Sequence, residues 1–157
     1  MNTLYQRKSR GFTIIEVVLV LAIAGLILLM VFIALPALQR GQRDSQRRND
    51  VSRLMSQVNS YQTNSRGSVP ASADLANFKT GYLKWDAGTT GEFNDPKTGV
   101  GYVISYGTGT PTNEGDILYN DKALCDNSGA IVATTNARNA AASVKLEGNG
   151  VYCADNR

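Results

Sequence analysis

The chain has 157 residues, with 16 basic and 13 acidic side chains and no histidine. Without histidine, the commonest general base, the Ser-His and Cys-His nucleophile pairs and the commonest zinc ligand are missing. Gly-rich pieces such as Gly107-Thr-Gly109 lack the Lys-Ser/Thr ending of a phosphate loop. The basic excess lies wholly in Arg7, Lys8 and Arg10, so the chain beyond Gly11 is side-chain neutral, which argues against a general polyanion binder.

Residues 1–10 are polar and basic, and they run directly into Gly11 and Phe12. From Val17 to Leu35 there is neither a charge nor a strongly polar group. As helix, that run measures roughly 28 Å, about one hydrocarbon thickness, and it is apolar all round rather than on one face. A cleavable secretory signal would have a shorter apolar stretch with its small residue after it. Here the small residue precedes the span, so a cut at Gly11 would remove the basic leader and leave the span attached. Glu16 lies one turn into the apolar run, where a carboxylate is costly. Taken together, Lys8-Ser-Arg-Gly-Phe-Thr-Ile-Ile-Glu16 resembles the leader and cut site of type IV pilins and pseudopilins. The resemblance implies cleavage after Gly11 by a prepilin peptidase, which also methylates the new N-terminal Phe12. It also implies an assembly role for Glu16, the fifth residue counted from Phe12. Gly25 and Pro36 fall where pilin helices commonly carry a glycine and a proline.

Beyond the span, Pro36 removes a helix donor and Gly41 weakens helix by about 1 kcal/mol, so a bend or local melting is expected between them. Helical periodicity resumes from Gln39 to about Asn64, with Val51, Leu54, Met55, Val58 and Tyr61 forming one apolar stripe. Arg47, Arg48, Asn49, Gln57 and Asn59 are assigned to the opposite, solvated or subunit-facing side. Asp44 with Arg48 and Asp50 with Arg53 have the spacing of surface ion pairs. The stretch from Asn64 to Pro70 ends the helix, and Ser72 is expected to cap a short helix through Lys79. Period-two patterning then predicts strands at 82–85, 100–106, 116–119, 131–135, 141–146 and 151–153, the last two joined as a hairpin. In the second of these, Val100, Tyr102, Ile104 and Tyr106 would share one face. The class is α+β: a long N-terminal helix, half membrane-spanning and half amphipathic, packed on a small antiparallel β-sheet. The boundaries are a cleaved leader at 1–11, a transmembrane and polymerisation helix at 12–35, an amphipathic helix at 36–65 and a β-rich globular domain at 66–157.

Cys125 and Cys153 both lie far downstream of the span. If that part is exported, a disulfide bounding residues 125–153 is the expected state, worth roughly 3–4 kcal/mol in the chain-entropy picture. In the family resembled, a region bounded by such a pair often forms exposed filament surface. Asp116, Asp121 and Asp126, with Asn120, Asn127 and Ser128, supply oxygens but not the order of a dedicated calcium loop, so they are expected to be solvated turn residues. No pair of carboxylates is singled out by spacing for hydrolysis, and neither a catalytic residue, a cofactor nor a metal is expected. Near the membrane boundary the Glu16 carboxylate can reach back to water. In an apolar filament core it would instead require a cation, such as another subunit's N-terminal ammonium.

The resemblance implies a structural subunit of a pilus-like surface filament serving adhesion, motility or DNA uptake. Its partners would be other pilin subunits, the prepilin peptidase/methyltransferase, and an assembly platform with its ATPase. The chain would wait in the cytoplasmic membrane, N-terminus inside, and become extracellular on assembly. A pseudopilin of a secretion or competence machine, or a membrane-anchored binding domain that never polymerises, are the alternatives. The surface or DNA ligand is left open.

Overall fold

The computed structural model describes residues 11–157. Two units are distinguished, one ending at Gln39 and one from Arg40 to Arg157. Helix α1 runs from Ile14 to Asn64 and contributes to both. Its assignment continues through Pro36 and Gly41, so the chain does not divide into two helices there. Proline removes a single donor, and one missing bond in so long a ladder leaves the neighbouring turns closed. In the first unit the large apolar side chains from Ile14 to Leu38 are all exposed. That part of α1 is long and apolar enough to cross a membrane.

The second unit opens on the amphipathic half of α1. Val51, Leu54, Met55 and Val58 are buried, as the stripe predicts, and each contributes about 1.5–3 kcal/mol through area removed from water. The helix stops where Arg66 turns left-handed (φ 55°) and the Gly67 amide reaches back to the Gln62 carbonyl at 2.8 Å. Helix α2, Leu75–Tyr82, follows with Asp74 rather than Ser72 at its N-cap and no side-chain cap bond. Leu75 and Phe78 turn inward, and Phe78 and Tyr82 pack around Tyr61 of α1.

The strands are β1 (Ile104–Tyr106), β2 (Ile117–Asp121), β3 (Ala123–Cys125), β4 (Ile131–Ala133), β5 (Ala140–Lys145) and β6 (Val151–Asp155). A four-stranded sheet has the order β1-β2-β5-β6, and β3 pairs with β4 separately. All pairings are antiparallel except β1–β2, which is parallel because residues 107–116 cross over and meet β4 at the Gly109–Ile131 bridge before returning. Side-chain alternation gives the sheet two working faces. Ile104, Ile117, Tyr119, Ala142 and Val144 join the cluster containing the α1 stripe, while Ala141, Leu118 and Cys153 join Ala123 and Ile131 of the β3–β4 hairpin. Three consecutive alanines, Ala140 to Ala142, leave both neighbouring layers room to approach β5.

Several strand expectations change. Residues 82–85 form the end of α2 and a turn, because Trp85 is held by its Nε1–H donating to the Tyr102 carbonyl at 2.8 Å. The 100–106 strand contracts to β1: its first residues serve the Asn94–Gly101 bridge, leaving Tyr102 and Ile104 buried but Val100 and Tyr106 exposed. Strand β3 had no periodic signal, being three residues long and entered through Lys122 at φ 61°.

Gly101 marks the tightest approach in this loop. A Cβ there would stand 1.9 Å from the Asp86 carbonyl oxygen and 2.9 Å from Trp85 Nε1. Gly101→Ala is therefore expected to destabilise the second unit by about 2–3 kcal/mol, read as a lowered denaturation midpoint with a loss of Trp85 burial by fluorescence.

Candidate functional site

The N-terminal segment is built as a reciprocal helix cap. Thr13 precedes the first helical residue, and Glu16 stands three positions on, the Ser/Thr-x-x-Glu spacing that satisfies otherwise orphaned amides. The Thr13 amide and hydroxyl both donate to Glu16 Oε2 at 2.9 Å, and the Glu16 amide donates to Thr13 Oγ1 at 3.4 Å. The Thr13-x-x-Glu16 spacing is the sequence signal for this cap, and the cap is not among the expectations above. Phe12 is exposed, as are the apolar side chains that follow it. Gly11 adjoins it, and a Cβ at Gly11 would meet no atom within 4 Å.

Residues 6–32 match the family described as the prokaryotic N-terminal methylation motif. The N-terminal segment is thus similar to that of prepilins, the class that type IV pilins and pseudopilins share. That class is structural rather than enzymatic, and the motif with the exposed apolar helix fits anchoring in a membrane. Neither a curated protein nor a solved structure matches the chain.

A second constellation lies wholly within the unit from Arg40 onward, and its central residue reverses an expectation. Arg47 is fully buried, not on a solvated face. It stands four residues before Val51, in line with the apolar stripe, and that spacing was the available signal. Its Nε donates to Asp95 Oδ1 at 2.7 Å, and its Nη1 lies 3.6 Å from both Asp44 Oδ1 and Glu147 Oε1. Arg43 grips the same Glu147 through two bonds, of 2.5 and 2.8 Å, while the Glu147 amide donates to Asp44 Oδ1 at 2.9 Å. Gly115, at φ 78°, leaves room for the pair: a Cβ there would fall 3.1 Å from Asp95 Oδ1.

The surface ion pairs expected along the helix are replaced by bonds to the β layer. Asp44 serves Arg47 and the Glu147 amide rather than Arg48, Asp50 accepts the Tyr102 hydroxyl at 2.7 Å, and Arg53 turns to Glu92. Two groups on the same helix face can be outcompeted when a fixed partner is supplied across the core, since exposed helical pairs are worth only a few tenths of a kcal/mol. The loops around 95 and 147 are thus tied to one helical turn by charge rather than by apolar packing.

The bidentate Arg43 bond holds the Glu147 carboxyl below its ordinary value of 4.5, whereas burial pushes Asp50 up from 3.8. A depressed carboxyl stabilises the fold above its unfolded pKa, and that contribution is lost as pH falls through the folded value. Asp50 acts in the opposite sense. Wild type is expected to lose stability below about pH 4.5 more steeply than Arg43→Met, in which Glu147 has lost its main cause of depression; thermal unfolding at pH 6 and pH 3.5 checks this.

Cys125 and Cys153 are joined, with Cα atoms 5.9 Å apart, at the contact of β3 with β6. The Cys125 amide donates to Asp155 Oδ2 at 2.9 Å, and Arg157 Nη2 donates to the Cys125 carbonyl at 3.1 Å, so hydrogen bonds reinforce the same junction. Asp116, Asp121 and Asp126 do not converge. Asp116 accepts from Asn113, Asp121 is buried under the Tyr106 hydroxyl, and Asp126 closes its own turn through Ser128 and Ala130. Cys153→Ser is expected to destabilise the second unit by about 2–5 kcal/mol, measured by denaturant unfolding in oxidising buffer, with no further loss on adding reductant.

Proposed function

We propose that the chain is a filament subunit of the type IV pilus kind, processed by cleavage after Gly11, N-methylated on Phe12 and polymerised through the apolar half of α1. The observation that carries this is the coincidence of the methylation motif at 6–32 with an apolar helix whose side chains are uncovered from Ile14 to Leu38. Such a surface needs lipid or other helices around it, since water solvates it poorly. Before assembly the cytoplasmic membrane would supply that environment, with the leader on the cytoplasmic side. Afterwards it would come from the helices of neighbouring subunits in an extracellular pilus. The partners on this reading are further copies of the chain, a prepilin peptidase/methyltransferase, and an assembly platform with its ATPase. Adhesion, motility or DNA uptake would be exercised by the second unit on the filament surface. A pseudopilin of a secretion or competence machine shares the same motif. Filament length, and dependence of secretion on the chain, separate the two.

Glu16 would hold two roles in this cycle. It caps its own helix through Thr13, and in an assembled apolar bundle its charge would offset the N-terminal ammonium of an adjoining subunit. The two are separable, because Gln completes a capping box as Glu does but brings no charge. Mature protein is expected to begin at N-methyl-Phe12 by mass spectrometry, with Glu16→Gln and Glu16→Val both inserted and cleaved. Sheared-filament yield is expected to fall in both variants. Retention of wild-type yield by Glu16→Gln would leave Glu16 as a cap only. Retention by both would favour an anchored domain that does not polymerise.

A further inference from the structure

The crossover between β1 and β2 encloses a cleft of about 330 Å³ on the second unit. It lies at the small end of the roughly 300–1,000 Å³ typical of ligand pockets. Residues 107–116 read Gly-Thr-Gly-Thr-Pro-Thr-Asn-Glu-Gly-Asp, and the threonines recur at every second position. Thr108, Thr110 and Thr112 all line the cleft and are all exposed, while the intervening Pro111 is buried and Gly109 is bonded to Ile131. Alternation of this kind is what an extended segment produces when one side is held against the body of the protein.

The row of hydroxyls is pinned along its length. The Gly107 amide donates to the Tyr119 carbonyl at 3.0 Å, and Gly109 and Ile131 exchange two bonds of 2.8 Å. The Lys145 ammonium donates to the Thr112 carbonyl at 3.1 Å, and the Gly115 amide donates to the Lys145 carbonyl at 3.0 Å. The backbone is thus held at Gly107, Gly109, Thr112 and Gly115, whereas among the described residues the side-chain hydroxyls of Ser105, Thr108, Thr110 and Thr112 make no hydrogen bond. Each is both a donor and an acceptor. Asp116 adds a carboxylate, of which Oδ2 accepts from Asn113 at 2.8 Å. Tyr106 is 42% exposed, and its hydroxyl is anchored on Asp121, which leaves ring surface toward the cleft rather than the polar end.

We propose that this cleft binds a neutral saccharide unit. Hydroxyls on a held backbone, able both to give and to accept, match a ligand made of hydroxyls. An aromatic ring and Leu118 offer apolar surface for the C–H face of a sugar ring. The lining itself contains one carboxylate, and the Lys145 ammonium at its edge is engaged by the Thr112 carbonyl, which disfavours sulfated, phosphorylated or sialylated ligands. Because the backbone is already ordered, binding would cost little further conformational entropy. The inference rests on the second unit alone and holds whether or not the chain polymerises.

The test uses the full chain, purified in a detergent without a sugar head group, on an array of neutral mono- and oligosaccharides with sialylated and sulfated counterparts. Binding to neutral glycans is expected, and the best of them should perturb backbone NMR signals of residues 105–118. The triple variant Thr108→Val, Thr110→Val, Thr112→Val keeps side-chain shape and is expected to weaken that binding by at least about tenfold. The triple threonine-to-serine variant at the same positions keeps the hydroxyls and should bind within about threefold of wild type. Thr135→Val, elsewhere on the surface, should bind as wild type. No neutral glycan retained, retention of acidic glycans only, or undiminished binding by the triple valine variant would each overturn the proposal.

Discussion

An α-helix that leaves every large apolar side chain from Ile14 to Leu38 uncovered sets the terms for everything else in this protein. Its backbone is satisfied internally, so the helix itself is sound, but its surface is not suited to water. An apolar environment suits such a surface, and it demands one thing of the sequence: no charge except where a partner is provided. Glu16 is the one exception, and its carboxylate is held by the amide and hydroxyl of Thr13 at the first turn. A cap is among the few uses of a carboxylate at an apolar helix start that needs no second molecule, since the orphan amides are already there.

The same helix changes character at about Arg40. From there its apolar residues narrow to a stripe, and the sheet covers it. What fixes the sheet on the stripe at this end is not apolar. Arg43 and Arg47 reach two loops that come from different parts of the sequence, and Asp44 takes the amide of one of them. Buried charge of this kind adds little net stability over a well-packed apolar core, but it tolerates few alternative arrangements, because removing one partner strands the other. A hydrophobic stripe alone would allow the sheet to slide by a turn along α1. Directional bonds from residues 43, 44 and 47 to 95 and 147 oppose such a slide.

At the far side of the sheet the constraint is covalent. The β3–β4 hairpin is short, with three residues in each strand, and its Ala123 and Ile131 meet little more than Ala141 and Leu118 of the larger sheet. A cluster this small contributes only a few kcal/mol of burial, so the Cys125–Cys153 link carries a large share of what keeps the layer closed. The crossover that leads from β1 to β2 is bonded to that layer at Gly109, which ties the hydroxyl-lined cleft to the same junction.

Much of this was legible in the residues themselves. The apolar run, the Gly11–Phe12 junction, the offset Glu16 and the stripe from Val51 to Tyr61 are local patterns. Local periodicity determines which segments are helical and which face is apolar. The α+β class followed from the change of period after residue 80, and β2, β4, β5 and β6 lie within a few residues of where alternation put them. Tertiary structure decided the rest, because each case turned on a partner distant in sequence. Arg47 is buried because Asp95 and Glu147, 48 and 100 positions away, arrive beside it. β1 runs parallel to β2 because the loop between them is drawn across to Ile131. β3 exists because β4 and a disulfide hold three residues that have no pattern of their own. Spacing in a sequence states what a residue can do with its neighbours on the same element, whereas a charge or a short strand is decided by whichever partner the fold brings within about 3 Å.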